Sequence, residues 1–199
     1  MKIGFEREFF VKSGKEFVLC PAIMPHDECG YLAESRGEPN ENPLFAAYLL
    51  LAAEDLLLKQ AKRNRVALKL HAAVTLPQEL LRDALRRNGK ASYPSERANI
   101  YGLDYAAGDT SCRAGLHVHF SNQITFQEVD KKHPSTYNGF LDIPKIVRVL
   151  DDAFAEDIAR SQRIRGFYEL KVHGVEYRSL PATVDPRKVA TLLLDADIS

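Results

Sequence analysis

Residues 3–11 read Ile-Gly-Phe-Glu-Arg-Glu-Phe-Phe-Val. Side chains alternate across a strand, so Ile3, Phe5, Phe9 and Val11 share one face with Arg7, while Gly4, Glu6, Glu8 and Phe10 share the other. One face suits a core, and the opposite one carries two carboxylates about 7 Å apart at Cα. If that face lines a cavity, the two charges raise each other's pKa unless a cation sits between them. If it faces water, the pair is an ordinary solvated surface.

Working outward, Ser13-Gly14-Lys15 turns the chain into a second strand at 16–20, and residues 30–36 read as a third. Asn42-Pro43 supplies an N-cap and a first-turn proline for a helix running to about Asn64, with Lys59, Lys62 and Arg63 near its C-terminal end. Its first half is apolar nearly all round, as a buried helix is. Residues 66–72 suggest a short strand, and Thr75-Leu76-Pro77-Gln78 has the form of a capping box opening a helix that ends at Asn88-Gly89. Residues 90–112 read as irregular, 114–121 as a strand and 122–141 as a polar loop long enough for a lid. From Asp142, Ile143, Ile146, Val147, Leu150, Phe154 and Ile158 recur at helical spacing and predict one amphipathic helix. Two strand-like runs flank His173-Gly174 as a tight hairpin, and Asp185-Pro186 caps a last helix. Strands paired in sequence with four helices, and no linker or repeat, predict a single α+β domain over residues 1–199 with a mostly antiparallel sheet.

Three further strings carry polar groups on one strand face. In Ala-Gly-Leu-His-Val-His-Phe-Ser (114–121), His117, His119 and Ser121 oppose Leu116, Val118 and Phe120. Residues 26–36 bring Asp27, Glu28, Glu34 and Arg36, and residues 175–181 place Glu176 and Arg178 opposite Val175, Tyr177 and Ser179. Two imidazoles on one strand face suit a metal, separate ligands or plain solvent. With no Cys beside them, a metal there needs carboxylates from other strands. Arg82, Arg86, Arg87 and Lys90, and Arg160, Arg163 and Arg165, lie near helix C-termini, where basic side chains complement the helix dipole.

Composition narrows the classes. Lys plus Arg and Asp plus Glu each number 27, so no whole-molecule basic field draws nucleic acid or an anionic membrane. The cysteines, Cys20, Cys29 and Cys112, are odd in number and form no C-x-x-C pair, which argues against a disulfide framework and fits a reducing cytoplasm. Acidic residues interrupt the N-terminal stretch where a signal peptide is apolar, and the longest apolar run, Leu44–Ala53, ends at Glu54-Asp55. A chain that neither spans nor crosses a membrane is the expectation.

Taken together and in order, the four strings resemble glutamine synthetase: Gly-Phe-Glu-Arg-Glu-Phe-Phe its G-x-E-x-E-F-F strand, His26-Asp27 and Glu34 its H-E-(six residues)-E segment with Asp for the first Glu, His117-x-His119-x-Ser121 its G-M-H-x-H-x-S strand, and Glu176-x-Arg178 its E-x-R-x-P strand. The likeness extends to the short carboxylate–amine ligases of phage and bacterial gene clusters, the amidoligase type 2 family, through Arg113-Ala114-Gly115 directly before the His-x-His strand. The resemblance implies a glutamine-synthetase-type catalytic domain, a curved sheet forming a half barrel with helices on its outer face. It implies an ATP-dependent ligase joining a carboxylate to an amine through an acyl phosphate, with two or more Mg²⁺ or Mn²⁺ ions. Glu8, Asp27 and Glu34 match the ligands of one ion, and Glu6, His117 and Glu176 those of another. His119 and Ser121 match nucleotide contacts, and Arg178 meets the transferred phosphoryl group beside Glu176. Arg36 and Arg113, which the resemblance does not assign, are candidate clamps for a substrate carboxylate or a phosphate, since a guanidinium grips both with two hydrogen bonds.

The expected substrates are small-molecule, peptide or protein carboxylates and amines, acted on in the cytoplasm, that of the host for a phage-encoded chain. A homo-oligomer is one way to complete the cleft. Phosphoryl transfer to a nitrogen acceptor on the same fold, and metal-dependent hydrolysis at the His-x-His strand, are the alternatives.

Overall fold

The computed structural model describes residues 1–27, 30–88, 97–106, 111–121, 141–171, 174–196 and 198. The carboxylate-bearing stretch forms β1 (Lys2–Ser13), a strand long enough to take partners on both edges. One edge pairs with β8 (Leu116–Ser121) through residues 2–7 and with β4 (Ala67–Lys69) through residues 10–12. The other pairs with β3 (Leu32–Arg36) and, past a turn, with the two-residue β2 (Glu16–Phe17). Beyond β8 come β10 (Gly174–Tyr177), β9 (Phe167–Lys171) and β6 (Arg97–Asn99), giving an eight-stranded sheet among the described residues. A small separate ladder joins β5 (Ala73–Thr75) to β7 (Ser111–Arg113). Every pairing among the described residues is antiparallel, so the chain is α+β with a large antiparallel sheet.

Helices cover one face of the large sheet. Ile3, Phe5, Leu116, Val118, Phe120 and Tyr177 meet Ala46, Ala47 and Leu50 of α1 (Pro43–Arg63), Ile146, Val147 and Leu150 of α3 (Ile143–Ala153), Ile158 of α4 (Ala155–Arg160), and Val189, Ala190 and Leu193 of α5 (Pro186–Asp195). Burying each large side chain is worth roughly 1.5–3 kcal/mol. Asn42, Asp142 and Asp185 cap α1, α3 and α5 by accepting hydrogen bonds from the amides of Phe45, Lys145 and Arg187. Gly37 lets the chain leaving β3 pass against α1, since a Cβ there would lie 2.6 Å from the Leu50 nitrogen. Among the described residues no helix is long and apolar enough to cross a membrane.

Three local expectations are corrected. The single helix expected from Asp142 is split at Phe154, so the described residues form five helices with α2 (Gln78–Asn88), although Ile158 still extends the apolar stripe. Thr75 caps no helix: it ends β5 opposite Ser111, and the Leu81 amide bonds to the Pro77 carbonyl. Pro77 holds Leu76 extended and shifts the helix start past it. Residues 97–99 and 111–112, read as irregular, lie in strands made by their partners rather than by local pattern. The loop 122–141 is described only at Leu141; residues 122–140 and the tip of the His173 hairpin lie outside the described residues.

Arg7, among the described residues the one charged side chain that the sheet turns to the helices, is resolved by pairing. Its guanidinium lies 3.2 Å from Glu54 of α1 and donates to the Val184 carbonyl at 2.8 Å, with Arg7 buried and Glu54 mostly so. Burial pushes the Glu54 carboxyl up, and Arg7 pulls against that rise. Arg7→Met, which leaves a buried carboxylate without its partner, should cost about 3–5 kcal/mol in urea unfolding at pH 8. Glu54 then binds a proton more readily folded than unfolded, so the deficit should narrow at pH 5.5. A deficit unchanged with pH would show that the pair does not carry the effect.

Candidate functional site

The opposite face of the sheet lines a cavity of about 1030 Å³. Register alone sets out its floor. Glu6 stands opposite Arg36 on one side and His117 on the other, and Glu8 stands opposite Glu34. One row along, Gly4, His119, Glu176, Glu169 and Arg97 are successive cross-strand partners from β1 to β6. At Phe10 and Leu32 the face turns apolar, packing with Leu76, Cys112, Ala114 and Ala182.

His117 is the centre of the floor, with a relative exposure of 1%. Its Nδ1 lies 3.0 Å from Glu176 Oε1 and 3.3 Å from Glu6 Oε1, and its Nε2 lies 3.8 Å from Glu8 Oε2. Gly115 makes room for the ring, because a Cβ there would lie 2.5 Å from His117 Nε2, and its amide donates to Glu8 at 2.6 Å. Burial and Arg178 push the imidazole toward neutrality, but Glu8 and Glu176 prevail and raise its pKa to about 9. Burial pushes Glu34 up, and repulsion from Glu6 adds to it, to about 8. Glu6 and Glu176 behave oppositely: burial opposes their charge, yet the neighbouring imidazoles hold both carboxyls well below the usual carboxylate range.

Cations tie the rim to the floor. Arg36 binds Glu6 through Nε at 2.9 Å and also contacts Glu34. Arg178 and Lys171 close a ring with two carboxylates. Arg178 pairs with Glu176 Oε1 and lies 3.3 Å from Glu169 Oε2, while Lys171 lies 2.5 Å from Glu169 Oε1 and 2.9 Å from Glu176 Oε2. Arg163 is better accounted for here than by a helix dipole. Its Nε donates to the Ser179 carbonyl at 3.1 Å and its Nη2 to that of Arg178, fixing the strand end that carries Arg178.

Among the residues singled out from sequence, Glu6, Glu8, Glu34, Arg36, His117, His119, Glu176 and Arg178 come together in this contact network. Asp27, Ser121 and Arg113 line the same cavity. Asp27 accepts the Leu32 amide at 3.1 Å, and Arg113 donates to the Gln162 and Ser111 carbonyls and lies over the Tyr105 ring. Glu28, the neighbouring acid, lies outside the described residues. Glu6, His119 and Glu176 each offer a donor atom within 4.8 Å of the other two. His119 thus joins the metal-capable trio, where the resemblance puts it at the nucleotide. Glu169, Lys171 and Arg97 were missed, although the Phe-Tyr-Glu-Leu-Lys alternation of β9 marks the first two as a polar face.

Compared with family models, curated proteins and solved structures, the chain finds no match.

Both Glu34 and His117 hold protons more tightly folded than unfolded. Without divalent ions, stability should therefore fall as pH rises from about 6 to 9, since the unfolded chain binds fewer protons across that window. Melting in EDTA across this range tests it, and Glu34→Gln should flatten the part of the fall below pH 8; a rise in Tm toward pH 9 would contradict the assignment.

Proposed function

We propose that the chain is an ATP-dependent carboxylate–amine ligase, forming an amide or isopeptide bond. The observation that carries this reading is the convergence of four separated sequence strings on one sheet face, in register, around one cavity. A floor of carboxylates with a rim of guanidinium and ammonium groups fits a substrate that is itself polyanionic and travels with cations.

The donor set fits a hard divalent ion. Two carboxylates and one imidazole, from Glu6, Glu176 and His119, lie within 4.8 Å of one another, and carboxylate oxygens are the ligands such an ion takes. An imidazole among carboxylates also admits Mn²⁺. Glu6, His119 and Glu176 would hold one ion, with His117 against the same carboxylates, and Glu8, Glu34 and Asp27 are the residues for another. Bound there, the ions would neutralise phosphate charge.

The chain's own groups have separate tasks. Arg178, held from below by Glu176 and Glu169, offers its guanidinium to the phosphoryl group as that moves to the substrate carboxylate, where charge builds in the transition state. The carboxylate oxygen attacks the γ-phosphorus and ADP leaves; the amine nitrogen then attacks the acyl carbon, phosphate leaves, and the nitrogen gives up its proton. Arg36, exposed at the rim but anchored at Nε, is placed to orient the carboxylate. Ser121 and Arg113 on the wall are the candidate nucleotide contacts.

ADP release measured over pairs of acids and amines, with mass spectrometry of the condensed product, tests the reading. Glu6→Gln should lower Mg²⁺-dependent ADP release by about 100-fold or more. A phosphorylated product with no condensation would identify phosphoryl transfer instead, and tight zinc binding with no ATP-dependent thermal shift would identify a hydrolase. Mn²⁺ affinity, read by EPR, should rise from pH 6 to 9 as Glu34 and His117 release protons; a pH-independent affinity would place the ion elsewhere.

A further inference from the structure

The first half of α1 is apolar nearly all round, yet its two sides meet different surroundings. Pro43, Ala46, Ala47, Leu50, Leu57 and Ala61 are buried against the rest of the chain. On the opposite side Phe45, Tyr48, Ala52 and Leu56 recur at steps of three and four residues and form a stripe open to solvent. Phe45 is 54% exposed, Tyr48 55% and Leu56 62%. A helix that is apolar all round belongs in an interior, and large apolar side chains gathered in one stripe, rather than scattered singly, mark a contact surface. The helices cover one face of the sheet and the cavity lies on the other, so the stripe stands apart from the site described above.

The stripe carries its own complement. α1 spans 21 residues, about 32 Å at the helical rise, and Ala52 lies beside its midpoint. Glu41 precedes the helix, whereas Lys59, Lys62 and Arg63 stand at its far end. A second α1 laid antiparallel about a two-fold axis through Ala52 sets Tyr48 against Leu56, Phe45 against Lys59 and Glu41 against Arg63, each twice by symmetry. The small side chain of Ala52 lets the two helices approach at the axis. Lys59, whose ammonium pairs with Asp55 one turn back, offers its aliphatic stem to Phe45. Opposite charges then meet at both ends, and the two helix dipoles oppose each other. A parallel pair would instead set Lys59, Lys62 and Arg63 beside their own copies.

We infer that the outer face of α1 is a self-association surface, through which two copies of this chain pair antiparallel about a two-fold axis at Ala52. Because stripe and cavity lie on opposite sides of the sheet, both cavities of the pair open away from the interface, and the second copy leaves each cleft as one chain builds it. The inference stands independently of the ligase reading.

Sedimentation velocity of the full chain across the micromolar range, at low salt, tests this and should give twice the mass of one chain. Leu56→Glu sets a carboxylate in the stripe of both copies and should weaken pairing by about 100-fold or more, with the circular dichroism spectrum unchanged because position 56 is exposed. Arg63→Glu should weaken pairing by about 3- to 10-fold, as for an exposed ion pair lost twice, and adding Glu41→Arg to the same chain should restore it. Under mild oxidation Ala52→Cys should cross-link to its own copy more than the unsubstituted chain does, whereas Leu56→Cys should do so only when mixed with Tyr48→Cys. A single-chain mass throughout the range would overturn the inference, and if Leu56→Glu then also lowers Tm, the stripe is covered by a segment of the same chain. A dimer that survives Leu56→Glu would place the interface elsewhere and overturn it equally. Self-cross-linking of Leu56→Cys without that of Ala52→Cys would overturn the antiparallel two-fold.

Discussion

The register of β1 is the constraint on which the molecule depends. The same strand sends Ile3 and Phe5 into the helix-covered core and Glu6 and Glu8 into the cavity. A strand period of two leaves no intermediate arrangement: a slip of one residue exchanges the faces, putting carboxylates against Leu50 and Leu150 and phenylalanines in the cavity. Ladders on both edges hold the register, with β8 fixing residues 2–7 and β3 fixing residues 6–10. Core and site are therefore not separate achievements of folding, because the hydrophobic demand that seats Phe5 is what aims Glu6.

Fixed in this way, the carboxylates present an electrostatic problem. Burying like charges side by side costs several kcal/mol per ion unless each is compensated. The protein compensates with its own groups: the His117 imidazole, its pKa raised between Glu6, Glu8 and Glu176, the raised Glu34 carboxyl, and the four-membered ring of Arg178, Lys171, Glu169 and Glu176. Each oxygen of Glu176 and Glu169 is matched to a cation, which fixes Arg178 and Lys171 before any ligand arrives. Such preorganisation is what makes a charged group useful in a transition state.

How much of this was legible in the sequence follows the same physics. Strands buried on one face announce themselves by alternation, so Glu6, Glu8, His117, His119, Glu176 and Arg178 were found on the faces they occupy. The N-cap side chains of Asn42, Asp142 and Asp185 act within three residues and were equally readable. What failed was information held in pairing. β6 and β7 are three residues long and exist because β9 and β5 accept them, so Arg97 lay in a stretch with no pattern of its own. Glu169 had the pattern, but its place against Glu176 is set by the β9–β10 ladder. Arg163 carried a local explanation, the helix terminus, that its long-range bonds to Ser179 and Arg178 replace. The curved half barrel implied by resemblance concerns shape beyond strand order, and what stands is the large antiparallel sheet itself.

The places of Arg36 and Arg97 have a consequence for divergence. Glu6, Glu8, His117, His119 and Glu176 stand on β1, β8 and β10 at the middle of the sheet, whereas Arg36 and Arg97 stand on β3 and β6 toward its two sides. Middle strands are constrained by neighbours on both edges; outer ones answer to fewer partners and accept substitution more readily. Substitution at such outlying positions can therefore change what the cavity walls present, while the floor of carboxylates and imidazoles is inherited intact from the interior of the sheet.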